Sequence, residues 1–359
     1  MRLTTDLFDF NLPPELIAQH PSERRDESRL LVVHRKEKRW EHRTFSELPE
    51  WLRAGDILFR NNAAVIPARL HAKRPTGGAV ECLLLTRVRP NVENEWWCLL
   101  KPGRKLPVGA QFGRDEYFTA TVLEKRSDGT ARVSFSTSGN IPITQIAEKI
   151  GDVPLPPYIV RNGSSDERAA DLSRYQTVYA DKSKVVAAAA PTAGLHFTPE
   201  LLQRLGANGV DFAEVTLHVG LGTFKPIEVE NVTEHPMHRE MYEMPAVTQE
   251  KLFSPKGRRI AVGTTSMRSI EDFLRNHQKA EATPYVTETD IFIYPPYSFS
   301  GVEAMITNFH QPRSTLLCLV SAFLCPGSTD GIELLKEIYA DAIARRYRFF
   351  SYGDAMLLL

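Results

Sequence analysis

Four short stretches of the chain gather titratable and hydrogen-bonding side chains among small neighbours, a composition that lets backbone approach a ligand. The first, residues 189–198 (AAPTAGLHFT), carries Thr192, Gly194 and His196 just before a helix start, where unpaired N–H groups favour anions. The second, residues 216–224 (TLHVGLGTF), reads as a strand that turns His218 away from Val215, Leu217 and Val219. Gly220 and Gly222 then free the backbone beside Thr223. The third, residues 263–268 (GTTSMR), is a strand-to-helix turn offering Thr264, Thr265, Ser266 and the Arg268 guanidinium, a set that suits a carboxylate or phosphate. It lacks the second glycine and the lysine of a P-loop. The fourth, residues 307–315 (TNFHQPRST), sets Asn308, His310 and Arg313 in one turn before an apolar run. A histidine titrates near neutral pH and suits proton transfer. No stretch alone defines a reaction; together they point to an enzyme rather than a scaffold.

Positioning these stretches requires mixed elements. Thr198-Pro199-Glu200 opens a helix with an N-cap, a proline at the first helical position and an acid in the first turn, and Asn208-Gly209 ends it. The run from Asp211 alternates as a strand, and residues 259–262 form another that turns at Gly263 into a helix with Ile270, Phe273 and Leu274 at helical spacing. A last helix is expected over residues 330–346, followed by a strand-like tail. Helices and strands alternating over about 200 residues indicate an α/β domain.

Residues 62–152 have a different texture. Runs such as AVECLLLTRV, EWWCLLK, YFTATVLEKR and ARVSFST are separated by turn residues, and Ser127-Asp128-Gly129 marks a hairpin. The expected architecture is an α/β domain from residues 1–61 and 153–359, interrupted by an all-β insertion at 62–152.

Composition narrows the class. Lys plus Arg and Asp plus Glu both number 44 in 359 residues, so no broad basic surface coats nucleic acid, although a local patch for one folded RNA remains open. The four cysteines form no CxxC pair and have no histidine at zinc-ligand spacing, so reduced, buried thiols are expected. The start lacks an apolar signal core, and the longest apolar run, residues 316–325, is too short to span a bilayer. A cytoplasmic protein is expected.

Over nearly its full length the chain resembles the S-adenosylmethionine:tRNA ribosyltransferase-isomerase family. The resemblance rests on PTAGLHFT at 191–198, TLHVG-x-GTF at 216–224 and AVGTTS-x-R at 261–268, in that order. It extends to LPPELIAQ at 12–19, IPARL at 66–70, PLPPYI at 154–159, YQTVYA at 175–180 and YGDAM at 352–356. It implies an α/β barrel-like domain with an inserted antiparallel β-barrel. It also implies a reaction: the ribosyl part of S-adenosylmethionine is transferred and isomerised onto 7-aminomethyl-7-deazaguanine at the tRNA wobble position. The products would be epoxyqueuosine-tRNA, adenine and methionine.

That chemistry calls for a base near the 5′ carbon, which the sulfonium acidifies, and for a donor to the departing adenine. His196, His218 and His310 are the candidates for proton transfer, and the sequence does not rank them. Asp354 would orient one of them or hold a ribose hydroxyl. The turn at Thr264, Thr265, Ser266 and Arg268 would take the methionine carboxylate, with Thr192, Gly194, Gly220, Thr223, Tyr175 and Gln176 completing the substrate site. Lys101, Arg104, Lys105, Arg161 and Arg174 would meet tRNA phosphates. The resemblance further implies S-adenosylmethionine as co-substrate, no metal, no membrane partner and a monomer.

The chain departs from the family pattern at residues 61–65, where Asn-Asp-Thr-Arg/Lys-Val is replaced by NNAAV, and Asn62 cannot titrate. The alternative this raises is a non-catalytic paralogue that binds tRNA or S-adenosylmethionine. An ordinary methyltransferase would need a glycine-rich GxGxG-type loop after its first strand, which is absent.

Overall fold

The structure, a computed structural model, describes residues 2–89, 92–162, 164–185, 189–218 and 226–359. Its larger part is a mixed nine-stranded sheet. The strands follow the order Tyr285–Thr289, Glu240–Met244, Asp211–Leu217, Ile57–Asn61, Arg259–Val262, Ala304–Asn308, Ala355–Leu358, Arg29–His34 and Arg39–Thr44. The four central strands, from Asp211–Leu217 to Ala304–Asn308, run parallel to one another.

Period-two burial explains the layers. Leu31, Val33, Phe59, Ala261 and Met305 face one core, which the helices Gly263–Asn276, Thr315–Leu324 and Gly331–Ala344 cover. Leu30, Val32, Leu58, Ile260 and Ile306 face the opposite core, under Phe45, Leu48, Phe197, Leu201 and Leu205. Both faces are apolar because parallel strands are usually covered on both sides. Thr198 caps the Pro199–Ala207 helix, its hydroxyl accepting from the Leu201 amide at 3.1 Å.

The smaller part is a closed six-stranded antiparallel barrel with strands from Arg69–Lys73 to Thr130–Thr137. The fold class is therefore the expected one, α/β with an inserted antiparallel β-barrel. The hairpin at Asp128-Gly129 is present; the Asp128 carboxylate accepts from the Thr130 amide and hydroxyl. Gly129 has φ +88° there, a left-handed conformation that glycine adopts without strain.

Three elements differ from expectation. The strand Gln111–Arg114 was not signalled, because four residues with one buried side chain give no measurable alternation. The helix Ile143–Ile150 lies in the stretch read as all-β and seals the barrel core with Ile143, Ile146 and Ala147. The C-terminal tail is strand only over Ala355–Leu358. No helix among the described residues is long and apolar enough to cross a membrane. Cys82, Cys98 and Cys318 are buried free thiols, and Cys325 is half-buried.

Candidate active site

The polar stretches converge because of sheet topology. His218, Asn62, Gly263 and His310 each follow the carboxyl end of one of the four parallel strands, the end at which α/β sites open. Gly263 turns the chain from strand to helix with φ +87°, and the Gly263–Asn276 helix starts there without a side-chain cap. Its first amides thus lack a side-chain cap beside an open cavity. Thr192, Thr264, Thr265, Asn308, His310 and Gln311 line that cavity on its polar side. Tyr158, Ala190, Phe350 and Ser351 contribute the rest of the wall that matters here. The Tyr158 and Phe350 rings lie 4.7 Å apart, and Tyr158 Oη shares a 2.6 Å hydrogen bond with Ser351 Oγ.

The three histidines occupy distinct settings. His310 lines the cavity, with Nε2 2.8 Å from the Thr307 hydroxyl. Burial pushes its pKa down from 6.5 to about 3, so the ring is neutral at physiological pH. His196 is only 3% exposed and stacks on Phe45; Nδ1 is 2.7 Å from Ser28 Oγ and Nε2 is 3.2 Å from Asn308 Nδ2. Both of its nitrogens are occupied by protein. Burial likewise holds it at about 4, against a smaller opposing pull from Asp354. His218 stands outside the described cavity wall, next to the ion pair between Lys184 and Glu243. Burial lowers its pKa, and the Glu243 charge opposes that shift.

The two deeply buried rings give the protein an acid sensitivity with a definite sign. Unfolded histidines take up protons below pH 6.5, while folded His196 and His310 stay neutral until about 4 and 3. Stability from these groups is complete above pH 6.5 and is lost as pH falls toward 4, by at most about 1.4 kcal/mol per pH unit for each ring. Urea midpoints measured from pH 7.5 to 4.5 should fall, and His196→Gln should flatten the profile.

Asp354 does not bond to any of the three histidines. Its buried carboxylate accepts from the Arg29 and Arg348 amides at 3.0 and 2.8 Å and pairs with both guanidinium groups at 3.2 and 3.4 Å. It is a brace joining the Arg29–His34 and Ala355–Leu358 strands. Gly194 acts by its size: a Cβ there would stand 2.0 Å from Tyr179 Oη. Gln176 clamps the Val65 backbone, receiving its N–H and donating to its carbonyl. Tyr175 is buried against Tyr352.

The 263–268 turn divides. Thr264 and Thr265 face the cavity, whereas Ser266 donates to the Val262 carbonyl. Arg268 reaches a second, smaller cavity with His235, His238 and Glu240, and Leu316 lines both cavities. There it pairs with Glu240 and donates to the Ile291 carbonyl, leaving Nη2 buried and without a partner among the described residues. Gly220 and Thr223 lie outside the described residues.

Among the basic residues, Arg161 is held by Asp171 at 2.8 and 2.9 Å. Arg174 donates to the Ser22 and Glu23 carbonyls and borders a small cleft beside His196. Both are engaged within the protein. Lys101, Arg104 and Lys105 are exposed together at one turn of the β-barrel.

The NNAAV stretch is a structural joint. Asn61 Oδ1 accepts from the Ala63 and Leu217 amides, and Asn62 donates to Glu214 at 3.0 Å while accepting from Thr216 at 2.6 Å. An amide at 62 can donate to Glu214, whereas an ionised carboxylate there would face a like charge. Neither asparagine lines the cavity. Tyr158 and Ser351 carry no role in the sequence analysis, although Tyr158 lies within the PLPPYI motif; Asn308 is named there only as part of the fourth polar stretch.

A mixed sheet with polar turns gathered at the ends of its parallel strands, a cavity at those turns and an inserted β-barrel define a two-part α/β enzyme. The chain belongs to the queuosine biosynthesis protein family, whose model matches residues 5–358. Relatives named S-adenosylmethionine:tRNA ribosyltransferase-isomerase are 49% identical in Thermotoga maritima and 48% identical in Desulfitobacterium hafniense, each alignment covering 98% of both chains. A relative of that name from Symbiobacterium thermophilum is 47% identical over the whole of both chains. A crystal structure of S-adenosylmethionine tRNA ribosyltransferase from Thermotoga maritima, at 39% identity, matches with a TM-score of 0.54 over 98% of this chain and 100% of that one.

Proposed function

We propose that this chain is an S-adenosylmethionine:tRNA ribosyltransferase-isomerase acting in queuosine synthesis. Its substrate is tRNA that carries 7-aminomethyl-7-deazaguanine at the wobble position, and its products are epoxyqueuosine-tRNA, adenine and methionine. The single observation that carries the reading is the family match over residues 5–358, together with a cavity that holds three of the flagged stretches. The protein acts as a cytoplasmic monomer without a metal.

Within this reading the geometry favours His310 as the proton-transfer group. It alone of the three histidines lines the cavity among the described residues. In the tautomer whose Nε2–H donates to Thr307, the neutral ring leaves Nδ1 as the acceptor, and its low basicity needs support from an anion of the bound substrates. Thr192, Thr264, Thr265 and the start of the Gly263–Asn276 helix supply donors to ribose oxygens or the methionine carboxylate. Arg268, across Leu316, is a second anion partner through its free Nη2. His218, Gly220 and Thr223 would border the substrate from the adjoining strand end. Nothing favours a non-catalytic role, because the altered 61–65 stretch lies off the cavity wall.

Lys101, Arg104 and Lys105 would hold tRNA phosphates. Replacing all three with alanine should weaken tRNA binding and reduce the slope of log affinity against log salt by roughly 2 to 3. Filter binding from 50 to 300 mM salt reads this; an unchanged slope would remove the patch from the interface. The reaction itself is tested by adenine release from S-adenosylmethionine with and without the modified tRNA. Release only when that tRNA is present supports the reading, and none from folded protein that binds the tRNA opposes it.

A further inference from the structure

The cavity wall contains an acceptor that the protein itself leaves unmet. Asn308 ends the Ala304–Asn308 strand, is 3% exposed and lines the cavity. Its orientation is set by chemistry rather than by atom labels. The Phe350 carbonyl, 3.1 Å away, can only accept, so the amide nitrogen must face it. The same nitrogen donates to His196 Nε2 at 3.2 Å. His196 is then the tautomer with its proton on Nδ1, which donates to Ser28 Oγ, and Ser28 in turn donates to the Arg25 carbonyl at 3.2 Å. Every member of this chain is satisfied except Asn308 Oδ1, which is buried and has no partner among the described residues. Of the described residues that carry a buried side-chain polar atom without a partner, Asn308 alone lines this cavity.

We propose that Asn308 Oδ1 receives the exocyclic amine of the adenine ring of S-adenosylmethionine, and that His196 is the positioning residue that fixes the amide for it. The inference rests on the function proposed above. Among the described residues no acidic side chain lines the cavity, so an ammonium group would find no counter-charge there. The Tyr158 and Phe350 rings with Ala190, Pro191 and Ala193 make the apolar surface that a flat purine needs. Ribose hydroxyls have other partners in Thr192, Thr264 and Thr265. His196 thereby acts through Asn308 instead of touching the reacting atoms.

The test compares S-adenosylmethionine with its 6-oxo purine analogue, which presents an acceptor in place of the amine, and with its 2′-deoxy analogue. Methionine release in the presence of the modified tRNA is the readout. Wild-type protein should prefer the amine over the 6-oxo compound by about 10²-fold or more in kcat/KM, since a site built around one hydrogen bond rejects the analogue that cannot make it. Asn308→Ala should bring that preference below about 10-fold while leaving the 2′-deoxy penalty unchanged. His196→Ala should erode the preference in the same direction, and His196→Gln, whose carbonyl can accept from Asn308, should restore most of it. An undiminished preference in folded Asn308→Ala overturns the proposal, as does a wild-type enzyme indifferent to the 6-oxo change. Collapse of the 2′-deoxy penalty alone would assign the acceptor to ribose and also overturn it. Absence of methionine release from every compound would instead overturn the reaction, and binding of the same compounds by calorimetry would then judge the acceptor separately.

Discussion

His310→Ala should lower the turnover of S-adenosylmethionine by about 10²–10⁴-fold, the range contributed by a positioned acid or base. The ring lines the cavity and makes one side-chain hydrogen bond, to Thr307, so its removal leaves the surrounding sheet in place. KM should change little, because the role proposed for the ring is proton transfer and it is one of many side chains lining the cavity. Single-turnover adenine release, with circular dichroism to verify folding, reads both quantities. A His310→Ala enzyme at wild-type rate would move the proton-transfer role to His218, whose ring, unlike that of His196, makes no hydrogen bond among the described residues.

Asp354→Ala should have the largest effect on stability, about 3 kcal/mol by chemical denaturation. The carboxylate is buried, and its loss leaves the two amides and the two guanidinium groups of Arg29 and Arg348 without their shared acceptor. Because both arginines are about one-third exposed, water recovers part of the loss, which places the estimate at the lower end of the range for breaking a buried pair. Asp354→Asn should cost less, since one oxygen still accepts. The contrast with His310 is diagnostic: a bracing residue loses stability first and activity as a consequence, while a catalytic one loses activity alone. A turnover defect in Asp354→Asn with an unchanged denaturation midpoint would return Asp354 to the chemistry.

Signals carried by consecutive residues were legible in the sequence. The cap at Thr198, the turn at Gly263 and the hairpin at Asp128-Gly129 each announce themselves within a few positions, and the structure has all three. The two-part architecture was legible for the same reason, since the change of texture near residues 62 and 152 reflects short alternating strands. Partnerships across the chain were not. His196 meets Asn308 over 112 positions and Asn308 meets Phe350 over 42, so their shared role appears only once the sheet is assembled.

Residue type also misled in informative ways. Arg161 and Arg174 resemble phosphate contacts in one dimension, but Asp171 and two backbone carbonyls occupy them in three. Gly194 sits in a ligand-like stretch and is required instead because Tyr179 leaves no room for a side chain. The 263–268 turn read as a single anion site, yet Arg268, one helical turn beyond Thr264, lines a different cavity, and Leu316 lines both. In each case the residue type alone suggested a ligand contact, and only its neighbours show what else holds it.

The most direct test of the account is mass analysis of the wobble nucleoside after incubating the protein with S-adenosylmethionine and tRNA bearing 7-aminomethyl-7-deazaguanine. Conversion of that nucleoside to epoxyqueuosine is expected, with one adenine and one methionine released for each nucleoside converted. An unchanged wobble nucleoside, from folded protein shown to bind both substrates, would contradict it.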